Sequence, residues 1–168
     1  MKQMIFDFNP AKCISCGACM VACMDQNDIK PDCQVPFRHI QTLEKSENER
    51  AVFTSISIAC MHCSDAPCVQ ACPTGCLYKD LDSGLTVYDN TRCIGCHSCI
   101  MACPFGAPSF TQEGKMTKCD GCAVRLENCL EPACVRACPF DALKLTPAGD
   151  VAENRWERVM ERIETMIK

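Results

Sequence analysis

Cysteine is the residue type in this chain that could do chemistry, since it accounts for 19 of the 168 residues. Sixteen of the cysteines fall into four groups of four. We call them groups one to four, and their segments are CISCGACMVAC (13–23), CMHCSDAPCVQAC (60–72), CIGCHSCIMAC (93–103) and CDGCAVRLENCLEPACVRAC (119–138). Thiolates are strong ligands for zinc and for iron-sulfur clusters. Four ligands in each of four groups therefore predict four metal centres.

A disulfide scaffold is the first alternative, because a cysteine content of about a tenth of the chain often marks one. The N-terminal segment MKQMIFDFNP has no apolar stretch of signal-peptide length, so the sequence predicts no export to an oxidising compartment. The cysteine count is odd, and a disulfide framework does not need the recurrent CxxCxxCxxxC run. These observations argue against disulfides.

Zinc is the second alternative, since paired CxxC units are also typical of zinc ribbons and fingers. In groups one and three, however, the CxxCxxCxxxC run has more cysteines than one zinc knuckle uses. Followed by proline, this run is the pattern of bacterial ferredoxins, in which the fourth cysteine ligates the other of two clusters. Proline follows Cys72, Cys103 and Cys138 and biases the preceding backbone away from the helical region. Group one departs from this pattern because Met24 follows Cys23.

Short strands are expected to position groups one and two. A strand from Met4 to Phe8 leads into group one. Residues 35–43 and 51–59 are rich in β-branched and apolar side chains. They predict a β-hairpin whose loop is the charged segment 44–50.

Further strands are expected around groups two to four. Residues 77–79 and 85–88 flank the turn signal Asp82-Ser83-Gly84 and predict a second hairpin. One unit of last ligand, turn and short strand recurs in ACPTGCLY (71–78), ACPFGAPSF (102–110) and ACPFDALKL (137–145). This repetition indicates duplicated ferredoxin modules.

The residues after Pro147 predict an amphipathic helix. Asp150 is a candidate cap, and an apolar stripe that includes Trp156, the only tryptophan, extends to Ile167. The helix either packs on its own domain or forms an arm that docks onto another subunit or a second copy, since tryptophan is a frequent interface anchor. The chain contains no apolar run approaching transmembrane length, so direct membrane insertion is not expected.

The chain resembles a known family over about residues 3–147. The resemblance is carried by the cysteine groups together with FRHI (37–40), SIACMHCSDAPC (57–68), CIGCHSCIMACPFGAP (93–108) and MTKCDGC (116–122). These segments look like the four-cluster iron-sulfur subunits that serve molybdenum and tungsten enzymes. Such enzymes include dimethyl sulfoxide, polysulfide and tetrathionate reductases, formate dehydrogenases and tungsten aldehyde oxidoreductases. The motifs are specific to four 4Fe-4S clusters and not to one catalytic partner.

The resemblance implies an α+β fold of duplicated dicluster-ferredoxin modules, with short β-hairpins and helices built around the clusters. Residues 1–147 would form the four-cluster domain, and residues 148–168 would form a C-terminal helical arm. The domain would contain two nested two-cluster modules and a hairpin insertion, formed respectively by residues 1–34 with 110–147, by residues 57–109, and by residues 35–56.

The resemblance also implies that each group lends its fourth cysteine to a paired group. We number the four sites by the group that supplies three of the ligands. The implied ligands are Cys13, Cys16, Cys19 and Cys138 for site one; Cys60, Cys63, Cys68 and Cys103 for site two; Cys93, Cys96, Cys99 and Cys72 for site three; and Cys119, Cys122, Cys134 and Cys23 for site four. All sixteen would be iron ligands, and no catalytic residue is predicted.

Three cysteines lie outside these sets. Cys33, Cys76 and Cys129 are interpreted as small buried residues or as idle thiols near the clusters. Cys129 is also an alternative third ligand of group four. Cys134 is preferred because, together with Cys138, it repeats the spacing between the third and fourth cysteines of the other groups.

Cationic residues immediately precede three of the groups, at Lys12, Arg92 and Lys118. A cation there would stabilise a reduced, more negative cluster and raise its potential. The alternative is that these side chains are solvated loop residues. His62 and His97 lie among the ligands, but the full cysteine complement leaves neither with an expected ligand role.

Charge and motifs exclude several classes of function. The net charge is −4, and four oxidised clusters with about two negative charges each would take it to roughly −12, which argues against nucleic-acid binding. The chain has no GxGxxG or P-loop fingerprint and no recognisable nucleophile and base pair. The sequence therefore predicts a non-catalytic electron-transfer subunit.

The resemblance implies two kinds of partner. Single electrons would pass between a large molybdo- or tungstopterin catalytic subunit and a further redox subunit or carrier, such as a flavoprotein, a ferredoxin or a membrane subunit. Alternatives are a stand-alone polyferredoxin, a subunit of a hydrogenase or formate complex and, from another class, a structural zinc protein. A cytoplasmic location is expected, with export beside a signal-bearing partner as the other route.

Overall fold

Short strands and short helices build the described part of the protein, which comprises residues 3–32, 34–47 and 50–151 of a computed structural model. In chain order the strands β1 to β8 are Met4–Phe8, His39–Glu47, Arg50–Ile58, Leu77–Lys79, Thr86–Tyr88, Ser109–Phe110, Met116–Thr117 and Leu143–Pro147. The helices α1 to α5 are Ala18–Gln26, Pro67–Gln70, Ser98–Ala102, Ala123–Glu127 and Ala133–Arg136, and a 3-10 turn spans Asn90–Arg92. This mixture is the predicted α+β class.

The first and last strands of the described residues pair with each other. β1 and β8 are antiparallel, in a register that runs from Met4 opposite Pro147 to Phe8 opposite Leu143. Helices α1 and α5 pack against each other, and α5 also packs on β8. Because α1 carries the end of group one and α5 carries the end of group four, this pairing brings those two groups together.

The hairpin before group two is present, with boundaries that differ from the prediction. β2 begins at His39 rather than at residue 35, because Pro36 has no N–H to contribute to a ladder. β2 and β3 pair as far as Glu47 opposite Arg50. Most of the predicted loop 44–50 therefore belongs to the strands, since polar and charged side chains are tolerated on a two-stranded ribbon with a solvated face.

The remaining strand predictions agree closely with the structure. β1 has the predicted bounds, and β4 pairs with β5, which begins one residue later than predicted, at Thr86. The three repeated units each end in a strand, namely β4, β6 and β8. The short pair β6 and β7 forms a fourth two-stranded sheet.

Cysteine supplies much of the core. Nine of the 17 buried apolar residues in the described part of the protein are cysteines. One core cluster surrounds Leu77 and Met116 with cysteines of groups two and three, and another surrounds Leu143 with Cys19 and Cys134. The interior is therefore organised around thiols rather than around large aliphatic or aromatic side chains.

The C-terminal helix is described only at its start. Residues 148–151 are helical, so Asp150 lies inside this turn. Residues 152–168 of the predicted amphipathic helix lie outside the described residues. Within the described ranges, no helix has the length and apolarity needed to cross a membrane.

Candidate metal centres

The four CxxC loops share a backbone conformation that the residue pattern did not indicate. In each loop the residue before the second cysteine has a positive φ: 57° at Ser15, 46° at His62, 67° at Gly95 and 80° at Gly121. A left-handed residue turns the chain sharply, so that both cysteines of a loop can face one centre. The signal is hidden in the sequence because serine and histidine occupy this position as well as glycine.

Backbone N–H groups donate hydrogen bonds to several of the cysteine sulfurs. The donor and acceptor pairs are Met116 to Cys93 (3.3 Å), Gly121 to Cys119 (3.4 Å), Ala107 to Cys103 (3.5 Å) and Ala142 to Cys138 (3.3 Å). In the last two pairs the donor lies four residues after a cysteine that precedes proline. Amide donors of this kind stabilise thiolate charge in iron-sulfur sites.

The fourth cysteines of groups one and two show why the proline matters. Although burial opposes the shift, backbone N–H groups led by that of Leu77 hold the pKa of Cys72 below its usual value. At Cys23, which lacks a following proline, α1 instead continues to Gln26. The side-chain amide of Asn27 donates to the Cys23 carbonyl at 2.7 Å and lies 3.8 Å from its Sγ. Group one thus replaces the backbone donor with a side chain.

A cavity of about 360 Å³ gathers the cysteines implied for site one. Cys13, Cys16, Cys19 and Cys138 all line it. Apolar side chains, including Phe8 and Leu143, form much of the remaining wall. The cavity therefore combines four thiols from the two ends of the chain.

A second cavity, of about 290 Å³, gathers the cysteines implied for site three. Cys72, Cys93, Cys96 and Cys99 line it, and so does a fifth cysteine, Cys76. Burial raises the pKa of Cys76 to about 11, and the neighbouring Cys93 and Cys72 add to the rise. The Cys76 thiol is therefore held in its neutral form, which agrees with a buried thiol beside the ligands.

The cysteines implied for site two lie close together. Burial raises the pKa of Cys68, and nearby Cys60 and Cys103 add to the rise while Lys118 opposes it. The third member of group two, Cys63, presents its carbonyl to the Lys79 ammonium at 2.8 Å.

The cysteines implied for site four are the most deeply buried. Burial raises the pKa of Cys23 to about 11, with Cys134 and Cys122 adding to the rise. Burial likewise raises the pKa of Cys119 far above its usual value. Cys134 is 4% exposed, whereas Cys129 is exposed at the surface. Of the two candidates for the third ligand, Cys134 is thus the one beside the rest of group four; Cys33 lies outside the described residues.

The donors fit an iron-sulfur cluster better than a single ion. A zinc ion draws its ligands to roughly 2.0–2.3 Å from one point. Among the residues described, no three histidine, cysteine or acidic side chains converge in that way. Cavities framed by thiols, with N–H donors on the sulfurs, are what a cubane cluster requires.

Lys118 is a fully buried cation between sites two and four. Its ammonium donates to the backbone oxygens of Thr86 at 2.5 Å and of Cys119 at 2.7 Å, and it lies 5.8 Å from the centre of the Tyr88 ring. The other two cations that precede cysteine groups, Lys12 and Arg92, are exposed. The prediction of a cluster-directed cation thus has its strongest structural support at Lys118.

Two further cations in this region carry no signal in the sequence. Arg38 is 3% exposed, donates to the Ser57 hydroxyl at 3.0 Å and lies 5.6 Å from the centre of the Phe6 ring. Lys79 is partly buried beside group two. The one ion pair found within the described ranges joins Arg92 and Asp89, so neither Arg38 nor Lys118 has a carboxylate partner there. Buried cations need compensating negative charge, and a reduced cluster with its thiolates supplies it.

The small sheets, the left-handed CxxC loops and the four thiol sets define a polycluster iron-sulfur protein of the ferredoxin type. This protein belongs to the 4Fe-4S dicluster family. Residues 51–147 match one family model and residues 12–76 match another, and both are described as a 4Fe-4S dicluster domain. Two dicluster domains carry four 4Fe-4S clusters, as the four cysteine groups predict.

Curated proteins similar to this one are subunits of oxidoreductases. The formate dehydrogenase iron-sulfur subunit of Wolinella succinogenes is 44% identical over 70% of this sequence and 60% of its own length. A subunit of the anaerobic dimethyl sulfoxide reductase of Haemophilus influenzae is 38% identical over 79% and 68%, respectively. The thiosulfate reductase electron transfer subunit PhsB of Salmonella typhi is 38% identical over 92% and 81%. The match thus spans between three fifths and four fifths of the length of these relatives.

Replacing Lys118 with methionine is expected to lower the reduction potentials of the clusters at sites two and four. A unit charge acting over roughly 8 Å at an effective dielectric constant of about 20 contributes about 2 kcal/mol. For a one-electron couple this corresponds to a fall of about 90 mV. Redox titration of the holoprotein, followed by electron paramagnetic resonance, measures the shift.

The matched control for Lys118→Met is Lys144→Met, because Lys144 is an exposed lysine on β8. Its charge is screened by water and should move each potential by much less. Equal shifts in the two variants would show that the Lys118 charge is not directed at the clusters.

Proposed function

We propose that this protein is a non-catalytic electron-transfer subunit. Its four 4Fe-4S clusters would relay single electrons between a molybdo- or tungstopterin catalytic subunit and a second redox partner. The observation that carries the proposal is a row of four thiol sets, with an exposed cysteine in the first and last sets and buried cysteines between them.

Neighbouring sets in the row share close cysteines. Burial raises the pKa of Cys19 in site one, and Cys134 of site four is near enough to add to the rise. Burial raises the pKa of Cys119 in site four, with a smaller contribution from Cys60 of site two. Helices α2 and α3, which carry cysteines of sites two and three, pack together. The supported order is therefore site one, site four, site two and site three.

The two ends of the row are the accessible ones. Cys16 of site one and Cys96 of site three are exposed. Large apolar side chains are exposed beside them, with Ile14 lining the first cavity and Ile94 lining the second. Exposed apolar residues around a redox centre suit a docking surface. Each end could thus exchange electrons with a different protein.

The names of the relatives supply the class of partner. Formate dehydrogenase, dimethyl sulfoxide reductase and thiosulfate reductase subunits share the cysteine-rich region with this protein. By analogy, one end would meet a large catalytic subunit that holds the pterin cofactor. The other end would meet a flavoprotein, a ferredoxin or a membrane subunit. The cytoplasmic location predicted from the sequence stays part of this proposal.

Anaerobic purification from the native host tests the function. The protein should co-elute with a large protein that contains molybdenum or tungsten and pterin, and it should carry about 16 iron atoms with matching acid-labile sulfide. Reduced clusters should be reoxidised when the substrate of that partner is added. Elution alone, with four clusters that cycle normally, would favour a stand-alone polyferredoxin; a protein that contains zinc and no sulfide would contradict the proposal.

The nested ligand pairing is a further part of the proposal, and Cys23→Ser tests it. Because Cys23 is assigned to site four, this variant should alter the resonance and potential of the site-four cluster and spare that of site one. Cys13→Ser provides the reference, since it should alter site one. The pairing of β1 with β8 supports the nested arrangement. If both variants perturb the same resonance, the pairing is wrong.

The domain division follows from the same pairing. Residues 1–34 with 110–147 would hold sites one and four, residues 57–109 would hold sites two and three, and residues 35–56 would be an inserted hairpin. The C-terminal arm, residues 148–168, is the proposed element for docking or self-association, and deleting residues 150–168 should then abolish assembly while the clusters remain intact.

A further inference from the structure

His62 presents a buried nitrogen without a hydrogen-bond partner. The side chain is 1% exposed, in the loop between Cys60 and Cys63. Its Nδ1 accepts a hydrogen bond from the Thr86 backbone N–H at 3.1 Å. A ring whose Nδ1 is an acceptor is neutral and carries its proton on Nε2. Within the described residues, that Nε2 is buried and has no acceptor.

The His62 ring lies where the two proposed modules meet. Its centre is 5.6 Å from that of Phe6 on β1. On the side of group four, a Cβ placed on Gly121 would be 3.6 Å from the Cε1 of His62. A residue of the group-two loop therefore packs against the loop between Cys119 and Cys122. The left-handed backbone of His62, with φ of 46°, is part of the turn that directs it there.

The charged groups facing His62 are cations. Burial lowers the pKa of His62 well below its usual value, and Lys118, Lys79 and Arg38 lower it further. Each of these cations comes from a different element packed around the ring. They reinforce the neutral form that the Thr86 hydrogen bond already requires.

A buried N–H donor without an acceptor is unfavourable, and such groups in folded proteins nearly always have a partner. The acceptors that the family membership adds to this region are the sulfurs of the clusters. The ring lies against the CxxC loop of site four, which makes that site the nearest one outside its own loop.

We propose that His62 donates an Nε2–H hydrogen bond to a sulfur of the site-four cluster. The bond crosses from the group-two loop to the neighbouring module, joins the two modules, and stabilises the reduced form of that cluster. This inference rests on the ligand set proposed for site four. His62 is a positioning and tuning residue and not an iron ligand.

The direct test is pulsed electron paramagnetic resonance of the reduced holoprotein, grown with ¹⁵N-histidine. A ¹⁵N coupling is expected on the resonance that Cys134→Ser alters, and it should be absent in His62→Leu. The equilibrium constant for reducing that cluster should fall at least about threefold in His62→Leu, which is roughly 30 mV for one electron. His39→Leu is the matched control, because His39 is exposed on β2 and should leave coupling and potential unchanged.

The labelled wild-type protein decides the question even if His62→Leu folds poorly. Four resonances without a ¹⁵N coupling on the site-four resonance would overturn the hydrogen bond while leaving the proposed function intact. A coupling found only on the site-two resonance would overturn the bond across the modules. Wild-type protein that holds far fewer than about 16 iron atoms would contradict the proposed function itself.

Discussion

Removal of iron from the holoprotein is expected to abolish its cooperative thermal unfolding transition. Nine of the 17 buried apolar residues in the described part of the protein are cysteines, and Lys118 and Arg38 are buried without a carboxylate partner there. Without clusters, the thiols lose their ligand bonds and the cations lose their compensating charge. A typical domain is stable by only about 5–15 kcal/mol, so losing four clusters should exceed the available stability.

Circular dichroism and calorimetry of the anaerobic chelated protein, compared with the holoprotein, measure this loss. The control is reconstitution with iron, sulfide and a thiol reductant, which should restore both the transition and the visible absorption. Dye binding to exposed apolar surface should rise in the chelated form. A chelated protein that unfolds cooperatively within a few degrees of the holoprotein would show that the clusters do not organise the core.

The sequence was most informative where chemistry restricts spacing. A cluster demands cysteines at fixed intervals, so groups one to four could be delimited from residue types alone, and the family membership agrees with four clusters. The strands that follow the repeated units could be placed for the same reason, because each begins a fixed distance after a cysteine and a proline. The hairpin of β2 and β3 was less accessible. Its charged residues indicated a loop, although they lie on strands.

The residues around the clusters could not be identified from spacing. Arg38 and Lys79 occur in segments that predict ordinary strands, and His62 resembled a loop residue among ligands. Each acquires its role from burial, which depends on how distant segments pack: Arg38 on Phe6, Lys79 on Cys63 and His62 on Thr86. Contacts of this kind leave no periodic signal in the sequence.

Replacing Cys134 with serine is expected to interrupt conduction through the subunit, whereas Cys129→Ser should have no effect. Cys134 is buried near Cys23 and Cys122, but Cys129 is exposed. Site four lies inside the proposed row, so its loss would separate site one from site two. Iron should fall from about 16 atoms to between about 12 and 15 in the Cys134 variant.

Electron flow from an artificial donor to the native acceptor should then drop to a small fraction of the wild-type rate in Cys134→Ser. The Cys129 variant is the matched control, because it makes the same chemical change five residues earlier in the same group. The resonance altered by Cys134→Ser should be the one altered by Cys23→Ser, since both cysteines are assigned to site four. If Cys129→Ser loses iron and Cys134→Ser does not, the third ligand of group four is Cys129. The left-handed backbone at Cys129, with φ of 56°, would then direct that thiol inward instead of to the surface.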